Sequence, residues 1–397
     1  MDSPLKLTTL NTLTLNKPRI QSIDLLRGLV MVIMALDHVR DFFHANPNFI
    51  DPTDLTKTTV PLFLTRWITH YCAPIFMFLS GTSAFIAGQR KTKKELCIFL
   101  LTRGLWLIFL ELTIVGFGWS FQFDMHHFGL LVIWALGASM VVLSVLIWLP
   151  FYAILGIGLL LVCGHNMLDA THVPGHDLKA LGWMMLHEQG DATLGSVNIF
   201  VMYPIIPWVG TMALGYCLGK LYETNFDAVK RKKILLILGS CVIAVFVIVR
   251  FTNFYGDAAH WSSQSSRSFT VLSFFNTTKY PPSILYLTMT LGPALIFLAF
   301  TENAMGWFSN IIKVFGRVPM FYYLCHLYLI HLAAMALFFA QGFKPSDFNN
   351  GPPPNYGVSL GIVYLVWFTI VALLFPLCKW YDRYKSAHKD NKWLSYL

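Results

Sequence analysis

Ser22–His44 reads SIDLLRGLVMVIMALDHVRDFFH. Asp24 and Arg27 precede an apolar run from Leu29 to Leu36, as at the start of a membrane-spanning helix. Asp37, His38, Arg40, Asp41 and His44 then follow with no stop signal between. Ionisable groups at membrane depth are costly, so a helix that carries them beside its apolar centre marks a functional site. Positions three, four and seven apart share a helix face, which puts Asp37, Arg40, Asp41 and His44 on one stripe. His38 lies about 100° away, three residues before Asp41 and within its reach. A carboxylate beside an imidazole fixes its tautomer and raises its basicity, as a general base requires. The competing reading is a salt-bridge network that only holds the helix to its neighbours. So many ionisable groups in two turns weigh toward function.

The composition sets the context for that helix. Of 397 residues, 56% are hydrophobic and only 12% charged, and the mean hydropathy is +0.58. Soluble chains sit nearer a quarter charged. The aromatic share of 15% is rich in Phe, which suits lipid-facing helices with Trp and Tyr at their ends. The fold class is therefore all-α and polytopic in a membrane. A formal charge of +9 does not point to nucleic acid, because the positive residues cluster in short loops between apolar runs, as topology signals do. The seven cysteines are scattered, with no CxxC and no metal spacing. They read as small buried hydrophobes, not a disulfide framework, and no metal site is expected. The first 18 residues are polar, so the first span is expected to act as its own insertion signal.

A crossing needs roughly 17–25 apolar residues, and segments at or near this length fall at 24–44, 60–88, 96–118, 128–148, 150–164, 199–219, 234–250, 284–300, 314–340 and 357–378. That predicts about ten helices. The basic loops Gln89–Lys94 and Lys230–Lys233 should both be cytoplasmic, so an even number of crossings must separate them, which supports splitting 128–164 into two. The same alternation puts both termini in the cytoplasm: a segment at 1–22, a transmembrane domain at 23–380 and a basic tail at 381–397. The first helix then runs from Arg27 inside to His44 outside. The outer loops are rich in Asp, His and Pro, and three of them exceed about fifteen residues with no obvious strand or helix pattern; long loops of this kind are often functional.

Other polar residues add candidates. His70 precedes Pro74 in the second span and falls at a depth comparable to His38, as a catalytic group or as a buried hydrogen-bonded histidine. Ser80-Gly81-Thr82-Ser83 gives that span a small-residue surface, open either to a narrow ligand or to a packed helix. Arg103 is buried near the basic loop that contains Lys91 and Lys94; with Arg27 these make a positive inner mouth suited to a polyanionic nucleotide, or simply a topology signal. Tyr322 and His326 are i, i+4 partners and read as packing. His126, His127, His165, His172, His176 and His187 lack a tight metal spacing.

Ser22-Ile-Asp-Leu-Leu-Arg-Gly28, the polar end of that helix, His44-Ala45 and Pro74-Ile-Phe-Met-Phe-Leu-Ser-Gly81 together resemble the catalytic domain of membrane-bound heparan-α-glucosaminide N-acetyltransferases, and more closely their short bacterial relatives. Tyr203–Tyr216, Lys279–Ser283 and Pro319–Tyr323 look typical of the same group. The resemblance implies a multi-pass protein of the bacterial inner membrane that moves an acetyl group from cytoplasmic acetyl-CoA to an external, sugar-like acceptor. It also implies an active-site histidine at His44. The family asparagine and aspartate fall at His38 and His70, so the chain departs from the lysosomal enzyme at both positions. His38 is thereby a rival to His44 as base, and the acceptor is left open.

The expected mechanism has His44 or His38, oriented by Asp41 or Asp37, deprotonating an amine or hydroxyl that attacks the thioester carbonyl. Arg40 either stabilises the oxyanion or pairs with the two aspartates, and an acetyl-histidine intermediate is an open possibility. Two other classes compete. A proton-coupled transporter would use the buried His and Asp as relay groups, though no repeat halves are visible. A membrane O-acyltransferase of the acyltransferase-3 kind shares an early helix with Arg and His. Oligomeric assembly is compatible with each.

Overall fold

The computed structural model describes residues 20–45, 51–302, 304–348, 351–388, 390–391 and 394. Most of the expected N-terminal segment, the start of the loop after His44 and the end of the C-terminal tail lie outside the described residues. In chain order the helices are α1 (Gln21–Phe43), α2 (Val60–Thr69), α3 (Cys72–Gly88), α4 (Lys93–Leu110) and α5 (Gly116–Ser120). Strand β1 (His127–Leu130) leads into α6 (Val132–Leu146) and α7 (Phe151–Gly164). Then come α8 (Leu178–Leu186), β2 (Gly190–Leu194), β3 (Val197–Val201), α9 (Ile206–Leu218) and α10 (Ala228–Thr252). The last elements are α11 (Arg267–Phe275), α12 (Ile284–Thr301), α13 (Trp307–Arg317), α14 (Pro319–Ala340) and α15 (Leu360–Ala387).

Local sequence explains most of these boundaries. Thr92 and Glu95 form a reciprocal capping box that starts α4. Ser283 caps α12, and Asp227 caps α10. Helix α4 passes into α5 through a π-helical turn at Glu111–Val115. There Glu111 Oε2 accepts the backbone N–H of Trp134 at 2.8 Å. Helix α6 has no side-chain cap of its own, and this carboxylate from a neighbouring helix takes one of its unsatisfied donors. Helix α1 crosses α13 at close range: a Cβ on Gly28 would collide with the Ile312 carbonyl, and one on Gly316 with that of Asp24. Only small residues allow such an approach.

Among the described residues, seven helical segments are long and apolar enough to cross a membrane: Val60–Gly88, Lys93–Ser120, Phe151–Leu168, Ala228–Thr252, Ile284–Thr301, Pro319–Ala340 and Leu360–Ala387. The chain is thus an α-helical integral membrane protein. Helix α6 is shorter and apolar, and α1 is dense in charge. Each of the ten expected spans contains a helix, with adjustments: 60–88 is two helices, α2 and α3, parted at His70-Tyr71, and 128–148 begins in strand β1. The segment 199–219 begins as strand β3, and its helix starts only at Ile206. The segment 314–340 is two helices, parted at Val318 (φ −128°, ψ 49°), because the residue before a proline is pushed out of the α region. Helix α15 runs unbroken to Ala387, past the expected start of the tail.

The expectation that the outer loops lack regular structure is corrected. These loops, with the adjoining ends of the segments 128–148 and 199–219, hold α8, α11 and a three-stranded sheet ordered β1-β3-β2, with β1 parallel to β3 and β2 antiparallel to it. Strands β2 and β3 are joined by Gly195-Ser196, and Gly195 has φ +62°, a conformation glycine adopts without steric cost in a two-residue hairpin turn. Arg250 ties the loop after α10 together by donating to the carbonyls of Ala259, Ser273, Phe274 and Asn276. All seven cysteines are free thiols, with Cys72, Cys217 and Cys378 buried and Cys163 and Cys241 exposed.

Candidate active site

A cavity of about 420 Å³ opens beside α1 and follows it from Arg27 to His38. Eleven residues of helix make that path about 16 Å long. Its walls come from distant parts of the chain: Ser80 and Ser83 on α3, Arg103 and Leu107 on α4, Met140 on α6, Tyr323 on α14 and Lys385 on α15. The middle is apolar, lined by Met31, Met34, Phe76, Met77 and Leu136 among others. The polar groups gather at its two ends.

At one end stand Arg27, Arg103, Arg317 and Lys385. Arg27 donates to Ser83 Oγ at 2.8 Å and to the Gly316 carbonyl at 3.3 Å, and pairs with Asp24. Arg317 pairs with Asp382 at 3.1 Å. This end gathers four cations, two of them paired with carboxylates, beside the apolar middle of the cavity.

At the other end lie Asp37, His38, Thr69, Tyr203 and Lys279. Asp37 is enclosed by cations: Arg66 Nη1 donates to both of its oxygens at 2.9 and 2.7 Å, Arg40 lies 2.8 Å away, and Thr69 Oγ1 donates at 2.7 Å. Arg40 also holds Asp41 at 2.6 Å and is only 5% exposed. Buried charges in a low-dielectric interior must be matched this closely to be tolerated. Lys279, 9% exposed, brings a further ammonium to the cavity wall and lies over the Tyr280 ring at 5.1 Å. The Tyr280 hydroxyl is 3.4 Å from that of Tyr203.

His38 is buried and partnered by a histidine, not by a carboxylate. Its Nδ1 is 3.0 Å from Nε2 of His326 on α14, and the two rings are stacked within 8° of parallel. Trp119 approaches the His38 ring edge-on at 4.9 Å. The expected pairing of His38 with Asp41 is corrected: Asp41 turns to Arg40, and His326, which reads as a packing residue in the sequence, faces His38.

The remaining expected site residues are dispersed. His44 ends α1 about 9 Å further along the axis, half-buried, and does not line this cavity. The strand-like contacts of Phe43 and Ala45 with Val358 strap that turn. His70 sits at the break between α2 and α3, 2% exposed, edge-on to Tyr286 at 5.3 Å and outside the cavity lining. Ser80 lines the cavity, but Gly81 does not: a Cβ there would collide with the backbone of Met212 and Tyr216, so its smallness serves the α3–α9 crossing. Lys91 and Lys94 are exposed; Lys91 and Arg103 both lie against the Phe99 ring, and Phe99 lines the passage.

Arg317 and Lys385 at the cavity, and Arg66 behind Asp37, escape a reading of the sequence for function, while Lys279 and Tyr323 fall in segments that the family resemblance marks without giving them a role. Arg66 stands in an apolar span, and the criterion that singles out α1 would have found it. The others come together only through the fold. Among the described residues, no group of three or more His, Cys, Asp or Glu side chains is arranged to hold a metal.

A family model described as "Heparan-alpha-glucosaminide N-acetyltransferase, catalytic" matches residues 19–248. That segment is more than half the chain and runs from the start of α1 to the last turn of α10. Among curated proteins, none matches the chain.

Proposed function

We propose a donor, a base and an acceptor side for this chain, which belongs to the heparan-alpha-glucosaminide N-acetyltransferase catalytic family and is a membrane acetyltransferase. The donor is acetyl-CoA, entering from the cytoplasm at the Arg27 end of the cavity. Guanidinium groups suit phosphate, and Arg27, Arg103, Arg317 and Lys385 supply a positive mouth for the nucleotide. The apolar passage beyond takes a thin pantetheine arm, which delivers the thioester to Asp37, His38 and Lys279. The observation that carries this reading is that one cavity joins the cationic end to the histidine. Both termini then lie in the cytoplasm, with about ten crossings.

His38 acts as the general base. It lines the cavity, whereas His44 does not. The acceptor is an amine or hydroxyl of an external, sugar-like molecule. As its nucleophilic atom bonds to the acetyl carbonyl carbon, His38 takes its proton. The carbonyl oxygen then carries negative charge, and the Lys279 ammonium stabilises it. When the C–S bond breaks, the sulfur leaves as thiolate and takes the proton back from His38. General-base help of this kind contributes ~10²–10⁴-fold. Arg40 is already engaged by Asp37 and Asp41, which supports a scaffolding role for it.

Incubating membranes that contain the protein with acetyl-labelled acetyl-CoA, and identifying the labelled product by mass spectrometry, tests the reading. An acetylated envelope sugar or small amine is expected, and its stability to mild hydroxylamine tells an amide from an ester. Purified protein that neither binds acetyl-CoA nor exchanges its acetyl group would contradict the proposal and favour transport.

A further inference from the structure

We infer that His326 is a positioning residue that fixes the tautomer of His38 and so leaves the Nε2 lone pair of His38 to receive the proton. The inference rests on His38 as the base. It begins at a backbone atom. His326 Nδ1 lies 2.7 Å from the carbonyl oxygen of Tyr322, and a carbonyl only accepts. Nδ1 of His326 must therefore carry hydrogen. In the neutral ring Nε2 is then a bare acceptor, and the group it meets at 3.0 Å is Nδ1 of His38. Between two imidazoles one nitrogen must donate, so the hydrogen sits on His38 Nδ1. Neutral His38 consequently has its lone pair on Nε2.

The surroundings hold this arrangement in place. His326 is fully buried, its ring stacked on Tyr322 at 4.8 Å and met edge-on by Tyr323 at 5.5 Å. A flip of that ring would place a carbon against the Tyr322 carbonyl and forfeit a buried hydrogen bond. The aspartates near His38 cannot take over the task, because Arg40, Arg66 and Thr69 occupy Asp37 and Arg40 holds Asp41. Once His38 accepts a proton at Nε2, the hydrogen between the two rings lets both share the positive charge until the thiolate reclaims the proton.

Nitrogen-15 NMR of histidine-labelled protein in lipid bilayers reads the tautomer directly. The expected result is His38 protonated at Nδ1 and bare at Nε2. In turnover, His326→Phe keeps the ring and loses the acceptor, and its kcat should fall ~10–100-fold, the usual cost of losing an orienting partner, with the KM for acetyl-CoA unchanged. His326→Gln sets an amide oxygen where Nε2 stood and should recover most of that loss. A His38 protonated at Nε2, or Phe and Gln variants of equal kcat, would overturn the inference even where His38→Ala is inactive. His38→Ala with full transfer would instead sink the base assignment on which the inference rests.

Discussion

The two ends of the cavity both carry cations and differ in what those cations surround. At the Asp37 end the charges are interlocked: one carboxylate takes contacts from Arg40, Arg66 and Thr69 within 2.9 Å, and His38 is clasped by His326. At the Arg27 end the cations line the wall of a mouth, each drawn from a different helix: Arg27 from α1, Arg103 from α4, Arg317 from α13 and Lys385 from α15. Under the proposed function the difference separates two tasks. Chemistry needs groups fixed to fractions of an ångström, whereas gathering a polyanion needs a positive field. Substitutions at the Asp37 end should therefore act on kcat, and those at the Arg27 end on KM.

After the base itself, the largest effect is expected from Lys279→Met. Loss of a donor aimed at a developing oxyanion costs ~10²–10³ in kcat, so steady-state acetyl transfer should fall by that much while acetyl-CoA binding by calorimetry is unchanged. A loss of binding with kcat intact would move Lys279 to the other group. Arg66→Met tests whether the interlocking is real. It leaves Asp37 buried with one partner fewer, and removing one member of a buried pair costs about 3–5 kcal/mol; thermal unfolding in detergent should begin at a clearly lower temperature. At the opposite end, Arg103→Ala and Arg317→Ala should each raise the KM for acetyl-CoA ~10-fold, the equivalent of about one charged hydrogen bond, with kcat held and the effect shrinking as salt rises.

The smallest effect concerns the loop between α7 and α8. Burial alone would raise the Asp169 carboxyl, but hydrogen bonds from His187 and Asn166 hold it below its usual value. A depressed carboxylate adds stability above its unfolded pKa, about 3.9, and loses it as pH falls through the lower folded value. Melting temperature followed from pH 6 downward should therefore drop less steeply in Asp169→Asn than in the native chain.

Much of this architecture is legible in the sequence because membrane helices announce themselves by length and hydropathy. Each expected span contains a helix, and Asp37 and His38 of α1 line one end of the cavity. Two signals were there to be read more closely: Pro319, which parts α13 from α14, and Gly195-Ser196, a two-residue turn between β2 and β3. Arg66 was visible by the same rule that drew attention to Asp37. The rest depends on contacts far apart in the chain. Nothing local in Leu324-Cys-His326 tells that this imidazole meets His38 from 288 residues away, and a helix wheel brings His38 near Asp41 without showing that Arg40 has already claimed it. Lys385 is likewise an ordinary tail lysine, and Lys279 only the first residue of a family-like segment, until the fold brings them to one cavity.

The account turns on which histidine of α1 takes the proton. His38→Ala and His44→Ala, purified side by side and assayed for acetyl transfer from labelled acetyl-CoA, decide it. The structure predicts that His38→Ala loses ~10²–10⁴-fold with acetyl-CoA binding intact, and that His44→Ala stays close to the native rate. Loss of transfer in His44→Ala alongside native turnover in His38→Ala would contradict it.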